Sequence, residues 1–120
     1  MEEINDKYDV GLGEPEIHII LETKEVTKKL VIWDAYFDRI MERVRPEKDG
    51  FTSLAHHYNR LTGWLEVSPW KVDDPAAAYA QLKSIDATGM QTKTKEVYEL
   101  ICEMFKEAIT DDLNIYIATD

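Results

Sequence analysis

The sequence of 120 residues contains a single cysteine, Cys102. One cysteine excludes a scaffold built on disulfides, and a domain of this length can bury a core without them. No apolar run reaches the roughly 18 residues that a membrane-spanning helix requires. The N-terminus, Met-Glu-Glu-Ile-Asn-Asp, is acidic with no apolar segment after it, so we expect no secretory signal. The sequence therefore predicts one domain, residues 1–120, in the reducing cytoplasm.

Basic residues are also scarce. The chain has 14 Lys and Arg against 24 Asp and Glu, a net charge of −10 at pH 7. The excess of negative charge lies toward the two ends of the chain. Residues 1–25 and 73–120 have a net charge of −6 each, and residues 26–72 have a net charge of +2. Phosphate binding depends on Lys and Arg, so we predict no direct nucleic-acid or membrane binding. The acidity favours a basic protein partner, or it serves solubility alone.

The common signatures of metal, nucleotide and nucleophilic sites are missing. The chain has no Cys-x-x-Cys, His-x-x-x-His or Glu-x-x-His spacing. His56 and His57 are adjacent, so on a helix they point about 100° apart and do not easily share an ion. Glu99 and Glu103 flank Cys102 on a predicted helix, which raises the pKa of the thiol and disfavours a nucleophile. We therefore predict no catalytic residue, no metal site and no cofactor.

Apolar residues at helical spacing dominate the middle of the chain. Six of them recur at intervals of three or four residues: Val26, Leu30, Trp33, Phe37, Ile40 and Val44. This spacing places them on one stripe of an α-helix. The predicted helix begins near Thr23 and ends near Arg45, since Pro46 cannot continue the hydrogen-bond ladder.

Three further helices are predicted. The second begins near Phe51, on the spacing of Phe51, Leu54, Tyr58 and Leu61, and Gly63 is its candidate C-cap. Asp74 as N-cap and Pro75 at the first helical position begin the third. The fourth runs from Thr92 to Thr110, with an apolar face formed by Val97, Leu100, Ile101, Met104, Phe105 and Ala108. The predicted fold is mainly α, a bundle of about four helices.

Two segments near the ends of the chain alternate as strands do. Residues 17–21 carry apolar side chains at every second position, and so do residues 113–118. Glu14-Pro15-Glu16 is also a fair helix start, so both structures remain open for the first segment. We favour a short two-stranded β element that pairs the two segments, preceded by a weakly ordered lead-in over residues 1–16.

Two rows of like charge stand out on the predicted helices. One row is Glu96, Glu99, Glu103 and Glu107, and the other is Asp34, Asp38 and Glu42. Like charges at this spacing destabilise a helix by roughly 0.2–0.5 kcal/mol per pair, so such rows favour a functional explanation. We predict a partner-binding surface formed by Glu96, Glu99, Glu103, Glu107, Asp34 and Asp38. An acidic solvent-exposed face without a partner is the alternative.

Residues 64–74 form an unusual loop with Trp64, Pro69 and Trp70 close together. Tryptophan is enriched at binding hot spots, and loops often carry function. We predict Trp70 as the exposed anchor of the partner-binding surface, because Pro69 and Lys71 flank it. The alternative is a tryptophan that covers the end of the helical bundle.

The same loop carries a resemblance to a class of proteins. Gly63-Trp64-Leu65-Glu66, Ser68-Pro69-Trp70 and Asp73-Asp74-Pro75, in a small acidic chain, resemble bacterial immunity proteins. The resemblance implies a cytoplasmic protein that inhibits a toxin domain, often a basic nuclease, by occupying its substrate cleft or a nearby site. It is confined to this loop and to the general character of the chain. No family motif is matched, so no residue role is carried over.

Two other functions remain open. Glu22-x-x-Glu25 and Glu96-x-x-Glu99 resemble the paired acids of helical pyrophosphohydrolases, which hold magnesium, although the second acidic motif of that pattern is missing. A metal-dependent all-α hydrolase is therefore one alternative to the immunity protein. A phage or regulatory interaction module with no toxin partner is the other.

Overall fold

The computed structural model describes residues 2–9, 15–44 and 69–119. Within these ranges five strands form one mixed sheet in the order β1-β3-β2-β5-β4, accompanied by three helices. The elements are β1 (Glu2–Tyr8), β2 (Glu16–Glu22), β3 (Thr27–Trp33), α1 (Asp34–Met41), β4 (Trp70–Lys71), α2 (Pro75–Lys83), α3 (Thr92–Thr110) and β5 (Asn114–Thr119).

Strand β2 lies at the centre of the sheet. It pairs antiparallel with β3, from Glu16 opposite Trp33 to Glu22 opposite Thr27, and on its other side antiparallel with β5. Its side chains alternate, so Ile17, Ile19 and Leu21 are buried while the residues between them are partly exposed. This alternation is typical of a strand with one face on the core.

A turn built on Thr23 closes the β2–β3 hairpin. The Thr23 backbone N–H donates to the Val26 carbonyl oxygen at 2.9 Å, and its Oγ1 donates to the same oxygen at 2.6 Å. Oγ1 also accepts a hydrogen bond from the Val26 backbone N–H at 2.9 Å. A threonine hydroxyl that bonds the local backbone in this way stabilises a tight turn.

Strand β1 pairs with the other side of β3, in parallel. Glu2 to Asn5 lie opposite Thr27 to Leu30, and the register shifts before Tyr8. Within the described residues, no strand pairs with the outer side of β1, so it is one edge of the sheet. The opposite edge is β4, which has two residues.

Helices α1 and α3 pack on the sheet, and α2 packs on α3. The core contains Phe37 and Ile40 from α1, Ile101 and Phe105 from α3 and Leu82 from α2, each almost completely buried. The Asp74 side chain accepts a hydrogen bond from the Ala77 N–H at 3.0 Å, which caps α2.

The prediction of a mainly α fold, a bundle of about four helices, is wrong, because these elements form an α/β fold around a five-stranded sheet. The error lies chiefly in the first predicted helix. Residues 27–33 form β3, and only Asp34–Met41 is helical there. Three residues of β3 are β-branched, which suits a strand, and partner strands on both sides provide its ladder hydrogen bonds.

Other predictions of local structure have mixed outcomes. The start of α2 at Asp74-Pro75 and the span of α3 from Thr92 to Thr110 are confirmed. The pairing of residues 17–21 with residues 113–118 is also confirmed, as part of the larger sheet. The weakly ordered lead-in is wrong for residues 2–8, which form β1. The helix predicted to begin near Phe51 and the side chain of Trp64 lie outside the described residues.

Each helix in the described part of the chain is too short or too polar to cross a membrane.

Candidate functional site

Three of the four glutamates in the α3 row are exposed to solvent. Glu96, Glu99 and Glu103 point away from the core, while Glu107 is half-buried. This placement follows from the sequence, because the buried residues Val97, Ile101, Phe105 and Ala108 occupy the opposite side of the same helix. The row is therefore a displayed feature of the fold.

A groove runs between α3 and the edge strand β1, and we call it the β1–α3 groove. One part, about 280 Å³, has an apolar floor of Leu30, Leu100 and Met104. A second part, about 540 Å³, continues toward the β2–β3 turn. The two parts share three lining residues: Glu3, Lys28 and Glu107. Leu100 and Met104 are only partly buried, since the side chains of β1 that face them are polar.

Lys28 and Glu107 bridge the groove. The Lys28 Nζ lies 3.1 Å from Oε1 and 3.2 Å from Oε2 of Glu107, so β3 is joined to α3 by a charge-assisted contact. Both side chains remain about one-third exposed, and an ion pair of this kind contributes about 0–1 kcal/mol to stability. The clearer effect of the ion pair is on local charge, because Lys28 neutralises Glu107, the last glutamate of the row on α3.

The remaining lining of the groove is acidic on balance. Its acids are Glu3, Glu25, Glu103, Glu107 and Asp111, and its bases are Lys24 and Lys28. Lys29 borders the groove, but its side chain alternates to the opposite face of β3. The five acids and two lysines have a net charge of −3. Lys29 is itself paired, with its Nζ 2.9 Å from Oε2 of Glu2. In the described ranges, Glu3, Glu99 and Glu103 have no cation within ion-pair distance, so they set the sign of the local potential.

Tyr8 joins the far end of β1 to the helices. Its hydroxyl donates a long hydrogen bond of 3.4 Å to Oε2 of Glu96, and its ring meets the ring of Tyr36 edge-on at 6.4 Å. Burial raises the pKa of Tyr8, and the neighbouring Glu96 carboxylate raises it further. Glu96 therefore accepts a hydrogen bond that ties β1 to α3, in addition to forming part of the acidic row.

The acids predicted on α1 stand apart from the groove. Asp34 and Asp38 are half-buried, each has an interaction within the molecule, and neither lines the groove. Arg39, on the same helix, stacks over the rings of Trp33 at 5.5 Å and Tyr36 at 5.9 Å. The structure thus brings Glu96 and Glu103 together with β1. Glu99 lines a separate pocket beside α2, with Lys83 and Lys106, and the α1 acids line neither of these sites.

Trp70 is placed in the core. It lies in β4 opposite Ile117 of β5, and its side chain is 8% exposed. A ring in this position stabilises the sheet edge and is not available as an exposed anchor. Of the two readings of this tryptophan, an apolar cover of the core fits the geometry.

A second polar cluster lies where β2 begins. The His18 Nε2 is 3.0 Å from Oε1 of Glu16. That hydrogen bond lowers the pKa of Glu16, but a hydrogen bond with Asp9, burial and the Asp9 charge together raise it above its usual value. Over the described ranges, no group of three or more His, Cys, Asp or Glu side chains is arranged to hold a metal ion.

Cys102 is buried between α3 and α2. Burial raises the pKa of its thiol, and the Tyr98 hydroxyl beside it donates to the Leu82 carbonyl oxygen at 2.6 Å. Burial also raises the pKa of Tyr98 to about 12. Both side chains therefore stay protonated at neutral pH, as packing residues do.

Sequence reasoning missed the β1 wall of the groove. Glu3 and Asn5 stand in a segment rich in acids and followed by glycines, and Lys28 falls within the helix predicted from Thr23 to Arg45. The one available signal was Tyr8, an aromatic residue in an otherwise polar stretch. A single aromatic residue is weak evidence for a strand. Strands are usually recognised by apolar residues at every second position, and a polar edge strand lacks that pattern.

No protein-family model, curated protein sequence or solved structure matches this chain.

Proposed function

We propose that this chain is a small acidic binding protein that neutralises a basic protein partner, as an immunity protein inhibits a toxin domain. The proposed surface consists of the exposed row on α3 and the β1–α3 groove beside it. Its proposed location is the cytoplasm, where the Cys102 thiol stays reduced. The chain contributes no chemistry in this proposal and acts by occupying the partner's surface.

One observation carries the proposal: Glu103 is exposed in the lining of a groove that has an apolar floor, and Glu99 is exposed one helical turn before it on the same helix. Negative charge beside apolar surface suits a partner that offers Lys or Arg around an apolar side chain. Charge of one sign also speeds diffusional encounter with an oppositely charged partner. A face whose only role was solubility would not need the exposed apolar atoms of Leu100 and Met104.

The structure narrows the set of residues that we assign to this surface. Glu96, Glu99 and Glu103 are retained, Glu107 is retained as the residue held by Lys28, and Glu3 is added from the groove lining. Asp34 and Asp38 are left out because both are only partly exposed and neither lines the groove. Trp70 is left out because it is buried.

The direct test is titration of the purified chain with the protein encoded by the adjacent gene, followed by calorimetry and stopped-flow kinetics. We expect the double substitution Glu99→Lys with Glu103→Lys to slow association roughly tenfold or more at low salt. Raising the ionic strength should shrink the difference, because surface charges are screened.

The matched control is Glu42→Lys with Asp73→Lys, which changes net charge by the same amount. Both residues are exposed, and neither lines the groove. We expect this control to retain association within about twofold, because charges distant from an interface contribute little to it. Equal loss in the two variants, or tight binding by the Glu99 and Glu103 variant, would remove the α3 row from the proposal. Absence of binding by the unsubstituted chain would contradict the immunity function itself.

A further inference from the structure

We propose that the partner docks by adding a strand to the outer edge of β1, and that this strand alternates basic and apolar residues. This inference rests on the proposed function and specifies how the partner binds.

The first step is that β1 offers an edge. Among the strands of the described ranges it is a terminal one, and Glu2 to Lys7 are all exposed. An edge strand presents backbone N–H and C=O groups on one side, which a further strand can pair with. The other edge does not offer this, because β4 has two residues and the side chain of Trp70 is buried.

The second step is that the two faces of β1 differ in chemistry. Glu3 faces the β1–α3 groove, on the same side as its partner Lys28, which reaches Glu107 of α3. Ile4, the next residue, therefore faces the other side, where it is 57% exposed beside Lys29. It is the most exposed large apolar side chain in the described part of the chain.

The third step converts these faces into a sequence pattern for the occupant. Directly opposed side chains on neighbouring strands lie about 5 Å apart and interact in pairs. A residue of the added strand opposite Glu3 projects toward the groove, where Glu103 also lies, so Lys or Arg fits there. A residue opposite Ile4 projects to the other face, where Val or Ile adds apolar contact. Alternation follows because successive side chains of a strand point to opposite faces.

The fourth step is that the same charges disfavour a second copy of this chain as the occupant. Pairing β1 with β1 would bring two sets of Glu2, Glu3 and Asp6 together, with Lys7 as the only base in each exposed stretch. Like charges directly opposite one another destabilise a sheet. Acidic edge residues thus protect the free protein from self-pairing and leave the edge open to a basic strand.

The experiment uses the full chain and a capped nine-residue peptide that alternates Lys and Val. We expect the peptide to bind and to slow hydrogen exchange at alternate backbone amides of residues 2–7. The matched control peptide carries N-methyl groups on two adjacent central residues, which removes one donor from each of its edges and leaves its charge unchanged. We expect it to bind at least roughly tenfold more weakly, since backbone pairing supplies much of the affinity in strand addition.

Two variants test the edge from the protein side. Ile4→Pro and Asn5→Pro remove the N–H of adjacent residues, and these N–H groups point to opposite edges of β1. The proline that removes an N–H facing β3 breaks a sheet hydrogen bond, so that variant melts at a lower temperature. The proline that removes an N–H on the free edge leaves the sheet intact, so that variant keeps its melting temperature. We expect the free-edge proline variant to bind the peptide at least roughly tenfold more weakly than the matching alanine variant.

The outcomes separate this inference from the function on which it rests. Equal binding of the two peptides, protection outside β1, or no effect of the outer-edge proline would overturn strand addition. A dimer of the free chain through β1 would overturn the basic strand as occupant. If the Glu99 and Glu103 variant still loses association with the protein partner, the proposed function stands without strand addition. If the Glu99 and Glu103 variant binds the protein partner normally while the free-edge proline variant does not, the result supports strand addition and removes the α3 row from the proposed surface.

Discussion

Strands β1 and β2 flank the same strand, β3, and both are seven residues long, yet they differ in almost every other respect. β2 buries Ile17, Ile19 and Leu21 on the core face, whereas β1 buries only Tyr8. In the part of the chain that the structure describes, β2 is paired on both sides and β1 on one. The comparison indicates that the fold depends on β2, while β1 contributes chiefly surface. Its polar sequence is compatible with the exposure of Glu2 to Lys7 to solvent.

The largest expected effect comes from the core face of β2. Ile19 is completely buried, so Ile19→Ala should lower the free energy of unfolding by about 2–5 kcal/mol through lost burial and a cavity. Ile4→Ala, the matched change on β1, should stay within about 0.5 kcal/mol because its side chain is more than half exposed. Urea denaturation of the two variants measures both values. Similar losses for the two would remove the distinction between the strands.

Tyr8→Ala should have the next largest effect, since Tyr8 is the single buried residue of β1. Its ring packs against the core and lies edge-on to Tyr36, so we expect a loss of roughly 3 kcal/mol. Hydrogen exchange should accelerate at the amides of β1 more than at those of β2. Uniform acceleration across the sheet would show that β1 is as integral to the fold as β2.

The Tyr8→Phe variant separates the hydroxyl from the ring and adds a pH dependence. The pKa of Tyr8 is raised above 10.0 in the folded protein, so the unfolded chain loses this proton first as the pH rises. The contribution of Tyr8 to stability is therefore complete below pH 10.0 and is lost as the pH rises through the folded-state pKa. Between those values the phenylalanine variant should lose stability less steeply than the unsubstituted protein.

A smaller loss of stability than at Ile19 or Tyr8 is expected at the turn that joins β2 to β3. Thr23→Ala removes the hydroxyl that bonds the Val26 carbonyl and N–H, and we expect a loss of about 1 kcal/mol. Thr23→Ser retains the hydroxyl and should retain most of the stability. Thermal melts of the two variants distinguish the hydrogen bonds from the loss of the methyl group. No difference between them would assign the effect to packing.

Sequence reasoning succeeded where one element carries its own signals. Asp74 and Pro75 begin α2, because a side-chain cap and a proline act within a single turn of helix. The apolar spacing of α3 predicted its span and the exposure of Glu99 and Glu103. These features depend on residues close together in the sequence, so the sequence displays them.

It failed where the structure of a segment depends on distant partners. Leu30 and Trp33 fit a helical stripe that continues through Phe37, but Leu30 and Ile32 also fit the core face of a strand. The strands β1 and β2 decide between these readings, because they supply the hydrogen bonds of β3. For the same reason the groove was not foreseen, since its walls come from β1, β3 and α3.

The amino-acid sequence by itself determined the net negative charge, the start of α2, the limits of α3, and the side of α3 on which its glutamates lie. These follow from side-chain chemistry and the 3.6-residue helical repeat. Tertiary structure alone decided that residues 2–8 and 27–33 are strands and that an acidic groove forms beside them. A strand acquires its hydrogen bonds only from its neighbours, so its existence depends on which segments of the chain meet.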